Sequence, residues 1–307
     1  VLRLWGTLKQ VGSFREVQRS AHLLSLVLDE NARRRRPLRF VVTLLNHQAG
    51  YGAPDPSRSL DDQRSEAWNA TAIYTEGAWR AEGVGALGER IEAFSQLPAA
   101  ASPYVLAWEL VNELDTYRSV AGGRFEGQAA AALRDSFLIP AASQLAASLP
   151  QPIMLGDIRG DRDAYEGWAD ALLRSLPSWL KQRLVWTSHV YVEQGKVPDA
   201  FMHKLDVDLA LAQRHRLPFV LGELGEHVPG AEGAFCRSGV EHDFGPILAA
   251  IRRRGISALF VWGEGRCQLN VGGGRRMIIG AGADSAEISS SDALTTSLLR
   301  ARRTVWD

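Results

Sequence analysis

The sequence holds only two cysteines, Cys236 and Cys267, in 307 residues, too few for a disulfide framework to replace a hydrophobic core. Neither charge is in excess: 35 basic and 35 acidic residues give a formal net charge of +0. No net field therefore draws the chain to nucleic acid or to an anionic membrane. No apolar run approaches the ~18 residues of a membrane span. A secretory signal is missing too, although a mature exported protein would have shed one. There is no P-loop, and the glycine cluster "GVGALG" at 83–88 lies inside a helical pattern instead of following a strand, which removes the dinucleotide reading. The densest basic run, Arg33 to Arg36, closes an expected helix, where cations suit the macrodipole and form a solvated cap. Low-complexity linkers and breaks in composition are also lacking, so residues 1–307 read as a single domain.

What is present is a regular alternation. With 46% hydrophobic and 23% charged residues, the composition suits a globular protein with a sizeable core. Seven short apolar runs, "VLRLW", "RFVVTLL", "YVLAWEL", "QPIMLGD", "RLVWTSHVY", "LPFVLGE" and "ISALFVWGE", alternate with longer amphipathic segments. That rhythm predicts parallel strands joined by helical crossovers. The helices are expected at about 14–35, 76–97, 125–148, 161–183, 199–215, 240–254 and 286–303, where apolar residues recur at three and four. Phe14, Val17, Ala21, Leu24 and Leu28 make one such stripe.

Polar residues gather after the carboxyl ends of the runs: Asn46 and His47, Asn112 and Glu113, Asp157, His189 and Tyr191, Glu223, and Trp262 with Glu264. In a (β/α)8 TIM barrel this is the face on which the βα loops build the active site. At roughly 31 residues per βα unit, three units separate equivalent positions by about 90 or somewhat more. Glu113 and Glu223 are about 110 positions apart, which places the second three strands after the first.

These residues carry a resemblance. "WELVNE", followed in order by "SHVY", "FVLGELG" and "FVWGE", resembles the retaining glycoside hydrolases of the (β/α)8 clan, most of all family 5 with its mannanase and cellulase branches. The resemblance spans nearly the whole chain. It implies that Glu113 is the general acid/base and Glu223 the nucleophile, and that Asn112, His189, Tyr191, Trp262 and Arg3 of "LRLW" bind substrate. It also implies that "VLRLW" is the second strand of the barrel, so that the first is lacking from this sequence. Either residues upstream of Val1 supply it, or another segment closes the gap.

The chemistry gives each residue type a reason. Cleavage with retention needs one protonated carboxyl to assist the leaving oxygen and one ionised carboxylate to attack the anomeric carbon. Different surroundings must hold the two apart in pKa. Glu113 is expected to be the partly desolvated acid, and Glu223 to be kept ionised by donors such as Arg3 and Tyr191. Asn112 would hydrogen-bond the sugar 2-hydroxyl, Trp262 would offer a flat apolar face, and His189 would orient Tyr191 or meet a hydroxyl. Asn46 and His47 read as subsite contacts or as loop hydrogen bonds.

Other readings stay beside these. Glu109 alternates onto the same face as Val111 and Glu113 and reads chiefly as a barrel-interior carboxylate. Trp5, Trp68, Trp79, Trp108, Trp168, Trp179 and Trp186 read as core or helix-packing residues, with Trp68 also a candidate sugar platform. No close His-x-His pair supports a metal hydrolase, so neither metal nor cofactor is expected. Cys236 and Cys267 fall on neighbouring loops. A disulfide there would contribute about 3 kcal/mol and favour an exported protein; free thiols are the alternative. The expected protein is a monomeric retaining β-glycanase acting on β-mannan or β-glucan, secreted or periplasmic, with a cytoplasmic location left open. An exo-acting β-glycosidase and a carbohydrate-binding pseudoenzyme are the alternatives.

Overall fold

The computed structural model describes residues 2–5, 14–35, 37–46, 87–96, 103–115, 131, 133–159, 162–193, 199–227, 241–243, 245–256, 258–261, 267–272 and 275–279. Each of the seven apolar runs contains a strand: β1 (Leu2–Trp5), β2 (Phe40–Asn46), β3 (Val105–Asn112), β4 (Ile153–Met154), β5 (Leu184–Glu193), β6 (Phe219–His227) and β7 (Leu259–Val261). Between them lie α1 (Phe14–Ala32), α2 (Leu87–Ser95), α3 (Ile139–Ser148), α4 (Arg162–Ser175), α5 (Asp199–His215) and α6 (Gly245–Arg253). Among the described residues no helix is long and apolar enough to cross a membrane.

The chain forms two compact units, Val1–Trp186 with Gln213–Leu217, and Thr187–Ala212 with Pro218–Asp307. In the first, β1, β2, β3, β4 and the start of β5 neighbour one another in that order, every pair parallel. In the second, the order is β5, β6, β7, with β7 parallel to β6. Strands thus follow chain order without the reversal that marks a doubly wound sheet. This is the winding of a (β/α)8 barrel, seven strands of which are described.

Burial follows from that winding. Every residue of β3 except Leu106 is buried, as expected of a parallel strand covered on both faces. In the first unit, Ala21, Leu24 and Leu28 form the buried stripe of α1. The amide of Asn31 then fastens the α1–β2 connection, donating to the Leu38 carbonyl (3.0 Å) and accepting from the Leu38 N–H (2.8 Å). Trp108 packs against Phe94 of α2, its ring nitrogen donating to Gln151. Arg90, also on α2, is buried and donates to the Leu44 carbonyl at 3.2 Å. Arg183 closes the end of α3 by donating to the carbonyls of Ala146, Leu149 and Gln151. Its cation meets the negative end of the helix, and burial lowers its pKa.

In the second unit, Val190, Leu205, Leu221, Leu224, Ile247, Leu248, Ile251 and Ile256 form one apolar cluster. Beside it the fully buried Asp208 accepts from Lys204 at 2.6 Å, and Lys204 also reaches the Ser188 hydroxyl at 3.2 Å. A small sheet adds Glu241–Asp243 parallel to Cys267–Gly272, which pairs antiparallel with Arg275–Ile279.

Some sequence expectations need correction. The helix expected over 240–254 opens instead as the strand Glu241–Asp243, and α6 starts at Gly245. Pro246 fits this start: proline suits the first turn of a helix, where its missing N–H would have no intrahelical partner. Trp108 and Trp186 are buried as expected, but Trp179 is 46% exposed. Its helix, Ser178–Lys181, is a single turn whose buried residue is Leu180. Trp168 is half-buried, whereas Trp68, Trp79 and the expected helix at 286–303 lie outside the described residues.

Candidate functional site

In the first unit the candidate residues lie at the end of β3. Glu109 aligns with Met154 of β4, and beyond the strand ends Leu114 aligns with Ile158. One more residue fits between the aligned pairs on the β3 side than on the β4 side, so β3 carries a bulge. Glu113 sits in it with φ 48°, a left-handed conformation that costs an L-residue roughly 1–2 kcal/mol. Bulges and strained backbone both concentrate where a side chain must be re-aimed for function. The opposing segment bends as well, at Gly156 with φ 99°. A Cβ there would lie 1.6 Å from the Val111 carbonyl oxygen, so only glycine lets the two backbones approach this closely.

Around this bulge Asn112 and Glu113 are buried, Glu113 at 7% exposure, and Asp157 is fully buried. Asn112 lies opposite Asn46 at the end of β2. Glu109, one strand turn deeper, accepts a hydrogen bond from the Thr43 hydroxyl of β2. That matches its reading as an interior carboxylate.

In the second unit the candidate residues lie on β5 and β6. Leu259 aligns with Leu221 and Val261 with Leu224, so β6 also carries one extra residue, between Leu221 and Leu224. Both leucines point into the helix-facing apolar cluster, which leaves Gly222 and Glu223 on the opposite side. Plain alternation would put Glu223 on the same face as Leu221; the bulge turns it the other way.

Glu223 is 3% exposed. It accepts a hydrogen bond from the Tyr191 hydroxyl and lies 3.4 Å from His189 Nδ1. His189 and Tyr191 share one face of β5, while Ser188 and Val190 face α5 and the apolar cluster. A phenol donating to a carboxylate favours its ionised form. The Tyr191 ring is fixed by an edge-to-face contact with Phe201 of α5, centroids 6.2 Å apart. His189, Tyr191 and Glu223 are thus brought together within the second unit.

Of the other expected site residues, only the backbones of Arg3 and Asn46 are described: Arg3 aligns with Val41, and Asn46 ends β2. His47 and Trp262 lie outside the described residues, as does Cys236, and Cys267 is described by backbone alone. Gly156, Thr187 and Gly222 were not singled out from the sequence. Their part depends on contacts between strands, and a "G-E" or "L-G-D" string gives only the faint signal of a glycine inside a strand pattern.

Each unit thus carries a buried glutamate at a bulge near the carboxyl end of a parallel strand, Glu113 in the first and Glu223 in the second. No family model and no curated protein matches the sequence. Solved structures similar to it include an endoglucanase from Pseudomonas stutzeri, 12% identical over 82% of this chain and 65% of that one, with a TM-score of 0.44. An endo-β-1,4-mannanase from Thermotoga petrophila is 13% identical over 86% of this chain and 61% of that one, TM-score 0.44. A β-mannanase from Streptomyces thermolilacinus is 16% identical over 79% and 63%, TM-score 0.41. The chain thus spans less than two thirds of the length of each.

Proposed function

We propose that the chain is a retaining β-glycanase that hydrolyses β-glycosidic bonds in a polysaccharide or oligosaccharide, with β-mannan or β-glucan the favoured substrate. The observation that supports this most is the setting of Glu223, a buried carboxylate turned by a bulge onto the face that carries Tyr191 and His189. A nucleophile needs this combination of ionisation, fixed direction and exclusion of water.

Glu223 attacks the anomeric carbon while Glu113 transfers its proton to the glycosidic oxygen, so the C–O bond breaks as the glycosyl–Glu223 ester forms. Glu113, now a carboxylate, takes a proton from water; that water displaces Glu223 and releases the sugar with its original configuration. Asn112 holds the 2-hydroxyl and Trp262 the ring face, with Arg3, Asn46 and His47 completing the subsites. No cofactor enters the reaction.

The test is a panel of mannan, glucans and xylan, followed by NMR of fresh product. Release of reducing ends with the retained anomer is expected. Glu223→Ala should abolish turnover of every substrate, whereas Glu113→Ala should keep more activity on aryl glycosides, whose leaving groups need little protonation. Equal losses on activated and natural substrates, or an inverted product, overturn the assignment.

A further inference from the structure

Gly222 lies against the face of β5 that bears Thr187 and His189. A Cβ built on it would stand 2.4 Å from Thr187 Oγ1, 3.0 Å from His189 Nε2 and 3.1 Å from His189 Cδ2. The first distance is below anything two unbonded heavy atoms of this kind adopt, and the others leave the ring no slack. On its far side the same ring presents Nδ1 to Glu223 at 3.4 Å. The imidazole is thus set between a bare backbone and a carboxylate. Whatever fills position 222 pushes it from behind.

We infer that Gly222 is a positioning residue. By leaving its Cβ site empty it fixes the His189 ring against Glu223; a Cβ there would meet the Thr187 hydroxyl as well. This rests on the reading of Glu223 as nucleophile and deepens it. Displacing the ring weakens a donor to the carboxylate, so Glu223 holds its proton to higher pH. Contacts to the remainder of the glycan are untouched, so the loss falls on kcat and leaves KM nearly unchanged. Thr187 supplies a clean control. It is buried, and its hydroxyl makes no protein hydrogen bond among the described residues, so Thr187→Ala breaks none.

Gly222→Ala, Thr187→Ala and the double variant are compared by two readouts. The first is the pH profile of kcat and KM on aryl β-cellobioside and aryl β-mannobioside. The second is the ¹⁵N signal of His189 Nδ1, assigned by its loss in His189→Gln, which needs no turnover. For Gly222→Ala we expect kcat lower by about 10- to 100-fold, the scale of a small misplacement near the chemistry, with KM within about twofold. The acid limb should move up by about 1 pH unit, and the Nδ1 signal should shift. Thr187→Ala should behave as wild type. The double variant, relieved of the 2.4 Å contact but not of those to the ring, should fall between.

An unshifted Nδ1 signal in Gly222→Ala, or a kcat loss without movement of the acid limb, overturns the inference. If Gly222→Ala does not fold, the double variant is read against Thr187→Ala: a shifted Nδ1 signal supports the inference and an unchanged one overturns it. The two readings fail separately. A wild-type chain without glycanase activity overturns the proposed function while the Nδ1 signal still reports the ring; an active chain with an unmoved ring overturns only the positioning role.

Discussion

Three glycines allow steric and backbone costs to be separated, and Gly156→Ala is the decisive member. Gly167 lies in α4 without a positive φ, and a Cβ there meets nothing within 4 Å. Gly167→Ala should therefore stabilise the protein by about 0.5–1 kcal/mol through helix propensity and a less disordered unfolded chain. Gly255 follows α6 with φ 75° and likewise has open space. Its N–H donates to the Arg252 carbonyl, and that of Ile256 donates to the Ile251 carbonyl, the pairing of a Schellman cap. Gly255→Ala should cost only the left-handed backbone, about 1–2 kcal/mol.

Gly156→Ala adds a collision to a similar backbone cost. Its Cβ would begin 1.6 Å from the Val111 oxygen, whereas ordinary contact starts at 3.4 Å. The strands must separate by a distance comparable to a bond length, and the hydrogen bond from Val111 N to the Leu155 carbonyl, already 3.3 Å long, cannot survive that. Two or three lost hydrogen bonds at about 1 kcal/mol each, added to the backbone strain, give a loss above about 4 kcal/mol, a value reserved for severe lesions. Urea unfolding of the three variants beside wild type measures this directly. A Gly156→Ala protein no less stable than Gly255→Ala would refute the close approach of the β3 and β4 ends, and with it the account of how Glu113 is aimed.

Other perturbations test other parts of the fold. Arg216 ends α5 with φ 56° and an exposed side chain, so Arg216→Gly should raise stability by about 0.5–1 kcal/mol, read as a higher urea midpoint. Lys204→Met removes the ion partner of fully buried Asp208 and should cost about 3 kcal/mol, with Lys204→Met/Asp208→Leu recovering most of it; a single variant as stable as wild type would refute the pairing. His215 donates Nε2–H to Asp170 at 2.7 Å, and its pKa is lowered by burial first, then by Lys181, Arg214 and Arg174. The unfolded chain thus binds this proton more readily. His215 costs nothing above its ordinary pKa of about 6.5, and stability falls as pH drops from there toward the lower folded value. His215→Gln should flatten that part of the urea midpoint against pH.

The strands were legible because parallel strands covered on both faces must be apolar throughout, and runs such as "RFVVTLL" have no other use in a globular chain. The helices α1, α4 and α5 were legible for the complementary reason, an apolar stripe of helical period. What escaped was everything that depends on two strands at once. Alternation counted from Glu109 predicts the face of Glu113 correctly only if β3 runs without interruption, and it does not. The same count from Leu221 puts Glu223 among the leucines. The ion pair of Lys204 with Asp208 was hidden too, because at that spacing a helix surface pair and a buried one look alike.

The two bulges bear on why these carboxylates are hard to replace. A glutamate at an ordinary strand position can be exchanged for another residue with little effect on its neighbours' directions. At a bulge the side chain's direction comes from the extra residue itself, and that residue is tolerated only because a glycine stands beside or opposite it: Gly222 next to Glu223, Gly156 across from the Glu113 turn. Backbone and side chain are therefore specified together. An isosteric change such as Glu223→Gln should keep the fold and the contact with Tyr191 while removing the charge, because the amide oxygen still accepts from the phenol. Deleting Glu223 altogether should do more than remove a nucleophile. It should restore simple alternation to β6, with Leu224 still facing the apolar cluster and Gly225 taking the next inward position, so that no carboxylate follows Gly222 on that face.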